Sequence, residues 1–144
     1  MKGEGETIER EIFIGAAPET VFKFLIDGEL MAHWLGTNQR LDPRPGGSFQ
    51  VAVSPGNVAR GVYTEIVPFH RVALTWGWDT QEPTLAMLRP GASLVEFELE
   101  PRDGGTLVRL RHSRLPNGLR WIHGERWTVY LGQLAAHLST KAQL

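Results

Sequence analysis

Between residues 7 and 16 apolar and polar side chains alternate: Ile8, Ile12 and Ile14 fall on one side of an extended chain, Glu9 and Glu11 on the other. That period of two predicts a strand. Arg10 falls on its apolar side and Phe13 interrupts the polar one. The period changes at Ala17-Pro18-Glu19, where proline suits the first helical position and glutamate the positive end of the helix dipole. Val21, Phe22 and Leu25 form the buried stripe of this helix. Asp27-Gly28 breaks it, and a second short helix over 29–35 carries Leu30 and Trp34 inward.

From there the period of two returns. The turn Pro43-Arg44-Pro45-Gly46-Gly47 separates a short strand at 40–42 from one at 48–53, in which Phe49, Val51 and Val53 share a face. Turns at 54–57 and 68–70 delimit strands at 60–67 and 71–78. In the latter, Val72, Leu74, Trp76 and Trp78 point one way, while Ala73, Thr75 and Gly77 point the other. The large-residue face needs a cover. Residues 79–92 form a long connection with an apolar patch at 85–88, and such connections are more often functional, or interfaces, than plain turns.

The clearest local deduction is a hairpin of 93–100 with 106–112. Asp103-Gly104 is a strong two-residue hairpin turn, and closing there sets Leu99 opposite Val108, Phe97 opposite Leu110, Glu98 opposite Arg109 and Glu96 opposite Arg111. A closure at Gly104-Gly105 keeps the same faces. The facing charges predict cross-strand ion pairs, and a one-residue slip would put charge in the core. Finally, Asn117 is expected to cap a helix running through Gly118, or from a few residues later, to about Leu138. Trp127, Leu131, Leu134 and Leu138 repeat at helical spacing, with Tyr130 and Ala135 at the edges of the stripe. His123 lies one turn before Trp127 on nearly the same side.

This order (strand, two short helices, several antiparallel strands, long helix) argues an α+β domain in which the long helix covers the aromatic face of a curved sheet. Space left between helix and sheet is the candidate pocket. The 144 residues fit a single domain over 1–144, and 42% hydrophobic with 22% charged residues is a globular composition. A net charge of -1 with dispersed basic residues gives no nucleic-acid footprint. With no cysteine there are no disulfides, no thiolate catalysis and no Cys-ligated zinc, which fits a reducing compartment. The polar, acidic first residues are unlike a signal peptide, and no apolar run approaches the ~20 residues of a membrane span. A cytoplasmic protein without nucleic-acid or membrane partners is expected.

Several stretches are similar to one family. They are Ile12-Phe13-Ile14-Gly15-Ala16-Ala17-Pro18-Glu19-Thr20-Val21-Phe22, then Leu30-Met31-Ala32-His33-Trp34-Leu35-Gly36, Gly61-Val62-Tyr63-Thr64-Glu65-Ile66-Val67-Pro68 and Val72-Ala73-Leu74-Thr75-Trp76. Gly105-Thr106-Leu107-Val108-Arg109-Leu110-Arg111-His112-Ser113 with Leu115-Pro116, and Gly124-Glu125-Arg126-Trp127, continue the match. In this order they resemble the bacterial activator of heat-shock protein 90 ATPase homologue family, within the START/polyketide-cyclase-like superfamily. The resemblance implies the helix-grip fold with a cavity under the C-terminal helix. It supplies no fixed catalytic motif. The family's name comes from eukaryotic cochaperones, so a chaperone partner is one expectation, and a homodimer another.

Five tryptophans against two tyrosines suggest where a ligand would sit. Trp34, Trp76, Trp78, Phe97, Trp127 and Tyr130 are expected to border the space, with His112 and His123 at its edge as polar anchors or as an acid–base pair. As pure core the rings need no ligand, and a histidine at a strand end is more often a hydrogen-bonded structural residue. Two histidines without a third ligand do not make a metal site. Arg10 could bind an acidic ligand, though an arginine near a strand's start usually escapes to solvent. No Gly-x-Ser-x-Gly elbow, phosphate-binding glycine loop or His-Glu-x-x-His pair occurs, and no cofactor is implied. Three functions follow, in order: a non-catalytic binding domain for a small hydrophobic or amphipathic molecule; a polyketide cyclase/dehydratase-like enzyme in which His112 or His123 shuttles a proton; and a chaperone-related interaction module.

Overall fold

The computed structural model describes residues 5–142. Strand β1 (Glu6–Ile14) leads into α1 (Pro18–Ile26), which has proline in its first turn and buries Val21, Phe22, Phe24 and Leu25. Asp27 does two jobs at the break. Its backbone N–H closes α1 on the Lys23 carbonyl at 2.9 Å, and its carboxylate accepts the Leu30 N–H at 3.1 Å, capping α2 (Gly28–Met31). The helix expected over 29–35 is thus a single turn; the chain then continues in turns that still bury Trp34 and Leu35.

Six further strands follow: β2 (Thr37–Leu41), β3 (Ser48–Ser54), β4 (Asn57–Val67), β5 (Arg71–Thr80), β6 (Ser93–Arg102) and β7 (Gly105–Leu115). With β1 they form one antiparallel sheet in the order β1-β7-β6-β5-β4-β3-β2. Successive strands β1 and β2 therefore lie at opposite edges, and α1 and α2 carry the chain between them. The last element is α3 (Arg120–Ala142). Leu25 of α1, Met31 of α2 and Trp127 of α3 meet over one sheet face, with Leu74, Trp76 and Phe97 beneath them. This is the helix-grip arrangement. No described helix is long and apolar enough to cross a membrane.

The β6–β7 hairpin has the register expected from Asp103-Gly104: Leu99 pairs with Val108, Phe97 with Leu110, Glu98 with Arg109 and Glu96 with Arg111. Both turn residues take positive φ, 50° and 76°, as a type I′ turn requires. The ion pairs differ from the expected ones. Arg109 reaches diagonally to Glu100 (2.7 Å) and across β1 to Glu11 (2.9 Å), while Arg71 of β5 takes Glu65, Glu96 and Glu98. Arg111 turns to Glu9 at 3.9 Å. An arginine spans more than one cross-strand position, and β5 brings a guanidinium that the hairpin alone does not reveal.

The long β5–β6 connection closes onto the sheet. Leu85 and Leu88 are buried around one 3-10 turn (Leu85–Met87), and the Trp78 N–H donates to the Leu88 carbonyl at 2.9 Å. A Cβ on Gly77 would stand 1.6 Å from the Arg89 carbonyl oxygen, which accounts for the small residue at that position. At the other end of the domain, α3 starts later than expected. Gly118 takes a φ of 91°, and the Leu119 carbonyl, rather than an Asn117 side chain, receives the first helical N–H. The buried stripe is the expected one: Trp127, Leu131, Leu134 and Leu138.

Candidate functional site

The inward rows of β5, β6 and β7 bring together four polar side chains that the core buries: Ser93, Trp78, His112 and, from α3, His123. Every ring nitrogen of the two histidines is engaged, and the partners fix the tautomers. Trp127 Nε1–H donates to His112 Nδ1 at 3.0 Å, so the proton of His112 is on Nε2. That Nε2–H lies 2.7 Å from Ser93 Oγ, whose hydroxyl donates to the Trp76 carbonyl at 2.7 Å. Trp78 Nε1–H donates to His123 Nε2 at 3.0 Å, leaving the proton on Nδ1, which meets the Leu119 carbonyl at 2.8 Å. Two directed chains result, with the imidazole rings 5.3 Å apart and nearly perpendicular.

Both imidazoles are held neutral. Burial drives the His112 pKa well below the ordinary histidine value, and a neighbouring charge on His123 would lower it further. For His123 burial again lowers the pKa, the Leu119 carbonyl partly opposes this, and Arg126 adds to it. Ser93 next to His112 is not an activated nucleophile: the imidazole donates to the hydroxyl and has no lone pair free to take its proton.

Beside these chains the aromatic rings close on one another. Trp76 contacts Trp78, Trp127, His112 and Phe49 at centroid distances of 5.1–6.0 Å, and Phe97 lies edge-on to Trp34 and Trp127. They leave a cavity of about 10 Å³, roughly the space of one water. Trp34, Trp76, Phe97 and Trp127 border it together with Leu25, Met31, Leu35, Phe49 and Leu74. Trp78, His112 and His123 stand one layer away, and Tyr130 packs edge-on against Trp127 at 5.9 Å, half-buried. The expected space under the helix is therefore present but closed. Arg10 goes to neither cavity nor open solvent: its guanidinium donates to Thr128 Oγ1 (3.0 Å) and to the Glu9 carbonyl (2.9 Å), tying β1 to α3.

The sequence reading missed Ser93 and the helix-entry carbonyl of Leu119. Ser93 had a signal, since it shares the inward parity of Val95 and Phe97. A carbonyl has none. Among the described residues no group of three potential metal ligands assembles.

Known proteins agree with this architecture. A protein of Mesorhizobium loti has the same fold at a TM-score of 0.80 and 23% identity, over 94% of this chain and 98% of that one. The Aha1 dimer from Colwellia psychrerythraea aligns at 0.75 and 21% identity, over 92% and 96%. An AHSA1-like protein from Rhizobium etli is 41% identical over 90% of this chain and 79% of that one, at a TM-score of 0.69. Among curated proteins none matches. Residues 15–139, from the end of β1 through most of α3, match the family described as Activator of Hsp90 ATPase homolog 1-like protein, and the chain belongs to that family.

Proposed function

We propose that the domain binds a small, mostly apolar molecule between its sheet and α3. The observation that supports this is the composition of the cavity wall: five aromatic rings (Trp34, Phe49, Trp76, Phe97 and Trp127) converge there with four aliphatic side chains and no charged group. At about 10 Å³ the closed form holds no ligand, so binding must part the α1–α2 side from the sheet. That side is joined to it by short elements, α2 being a single turn. The neutral, doubly engaged histidines count against the proton-shuttle reading, because neither has a free lone pair at the cavity.

Planar apolar probes should quench tryptophan fluorescence saturably at micromolar concentration, about 8 kcal/mol of binding free energy. Phe97→Leu, which reshapes the wall and removes no hydrogen bond, should weaken binding severalfold. Arg111→Ala, on the open sheet face, should leave it unchanged. If no apolar probe binds the folded protein, the interaction-module reading takes precedence. Its supporting observation is Trp121 at 74% exposure on the first turn of α3, and the Colwellia relative is a dimer.

A further inference from the structure

Four tryptophans are buried, and three have their indole N–H satisfied. Trp34 donates to the Phe24 carbonyl, Trp78 to His123 and Trp127 to His112, each at 3.0 Å. Trp76, 1% exposed and bordering the cavity, has no acceptor for its Nε1–H. An unmade hydrogen bond on a buried donor is costly, and native cores leave few of them. The other polar groups around it are already engaged. The Ser93 hydroxyl lies on the Trp76 carbonyl, the Tyr63 hydroxyl donates to the Leu25 carbonyl at 3.1 Å, and both histidines are saturated.

We infer that the Trp76 indole N–H is the polar anchor of the ligand site, and that the ligand is an uncharged, largely apolar molecule presenting one hydrogen-bond acceptor, such as a carbonyl oxygen. This rests on the binding reading above and adds its chemical selectivity. The residues bordering the cavity include no acceptor side chain for a ligand hydroxyl and no cation for a carboxylate. A ligand donor or anion would enter unpaired and lose its hydration without return. An acceptor instead gains a bond with a donor that has lacked one, so no existing protein hydrogen bond is broken.

The test uses an isosteric pair, 2-acetylnaphthalene and 2-ethylnaphthalene, with 2-naphthoate as the anion. The expected result is about tenfold tighter binding of the ketone than of the hydrocarbon, and weaker binding of the naphthoate than of either. In Trp76→Phe, which keeps an apolar ring and removes the N–H, ketone and hydrocarbon should agree within about twofold. A second readout needs no variant that must fold. Among the indole N–H resonances of the wild-type protein, that of Trp76 should move downfield with the ketone and not with the hydrocarbon. Equal affinities for ketone and hydrocarbon with no Trp76 shift would overturn the anchor and leave the binding reading standing. Failure of all three probes to bind would overturn both.

Discussion

Protonation of either buried histidine would set donor against donor. A second proton on His112 goes to Nδ1, which faces the Trp127 N–H, and one on His123 goes to Nε2, which faces the Trp78 N–H. Geometry and burial therefore act in the same direction, and both pKa values lie below the ordinary histidine value. In the unfolded chain these side chains titrate near pH ~6.5. Below that pH the unfolded state binds more protons than the folded one, so stability is fully present above it and falls as the pH drops toward the folded-state values. The urea midpoint should be lower at pH 5.5 than at pH 7.5, above the range where carboxylates dominate. The decline should flatten in His112→Gln. A midpoint that does not change over that interval would show that the folded core accepts the protons. Strand parity made the inward position of His112 legible in the sequence. The tautomers were not legible, because they depend on Trp127 and Leu119 of an element whose placement only the tertiary structure sets.

Among the elements, the hairpin could be read to the residue because a two-residue turn and alternating charge leave one register, as its pairing confirms. The contact between edge strand β1 and α3 could not. Arg10 lies on the apolar row of β1, where an arginine would normally be a fault, yet α3 supplies Thr128 Oγ1 and leaves room at Gly124. A Cβ on Gly124 would approach Arg10 Nη2 to 2.5 Å. Arg120 similarly donates to the Thr7 carbonyl at 3.1 Å, so two guanidinium groups hold backbone oxygens of an edge strand. Glycine within a helix normally costs about 1 kcal/mol relative to alanine. Gly124→Ala should recover that amount in an Arg10→Ala background. In the wild-type background the gain should be largely cancelled, because the methyl displaces the guanidinium from Thr128. Chemical denaturation of the four proteins of this double-mutant cycle measures the coupling. Equal effects in the two backgrounds would show that Arg10 does not press on the helix.

Over the whole molecule, one sheet face is covered by three helices and the other carries charge. The order of elements was enough to predict that division. It could not reveal how fully the rings fill the space beneath α3, since that depends on the sheet's curvature and on rotamers rather than on sequence period. The charged face is locally neutralised: Arg71 is shared by three glutamates and Arg109 by two, while Arg10 and Arg120 are directed at backbone carbonyls. Burial is slight at these pairs, so each contributes little to stability. Their consequence is for anions. A triphosphate needs converging, unengaged donors, normally a glycine-rich loop at a helix N-terminus together with a lysine or arginine. These four guanidinium groups already have acceptors, and the sequence has no such loop. Although the family is named for an ATPase, the domain itself should neither bind nor hydrolyse ATP. Its melting temperature should be the same in millimolar Mg-ATP as in inorganic phosphate at equal ionic strength. A rise specific to the nucleotide would mean that some of these arginines leave their carboxylates or carbonyls for phosphate, and the neutralised-face argument would then be wrong.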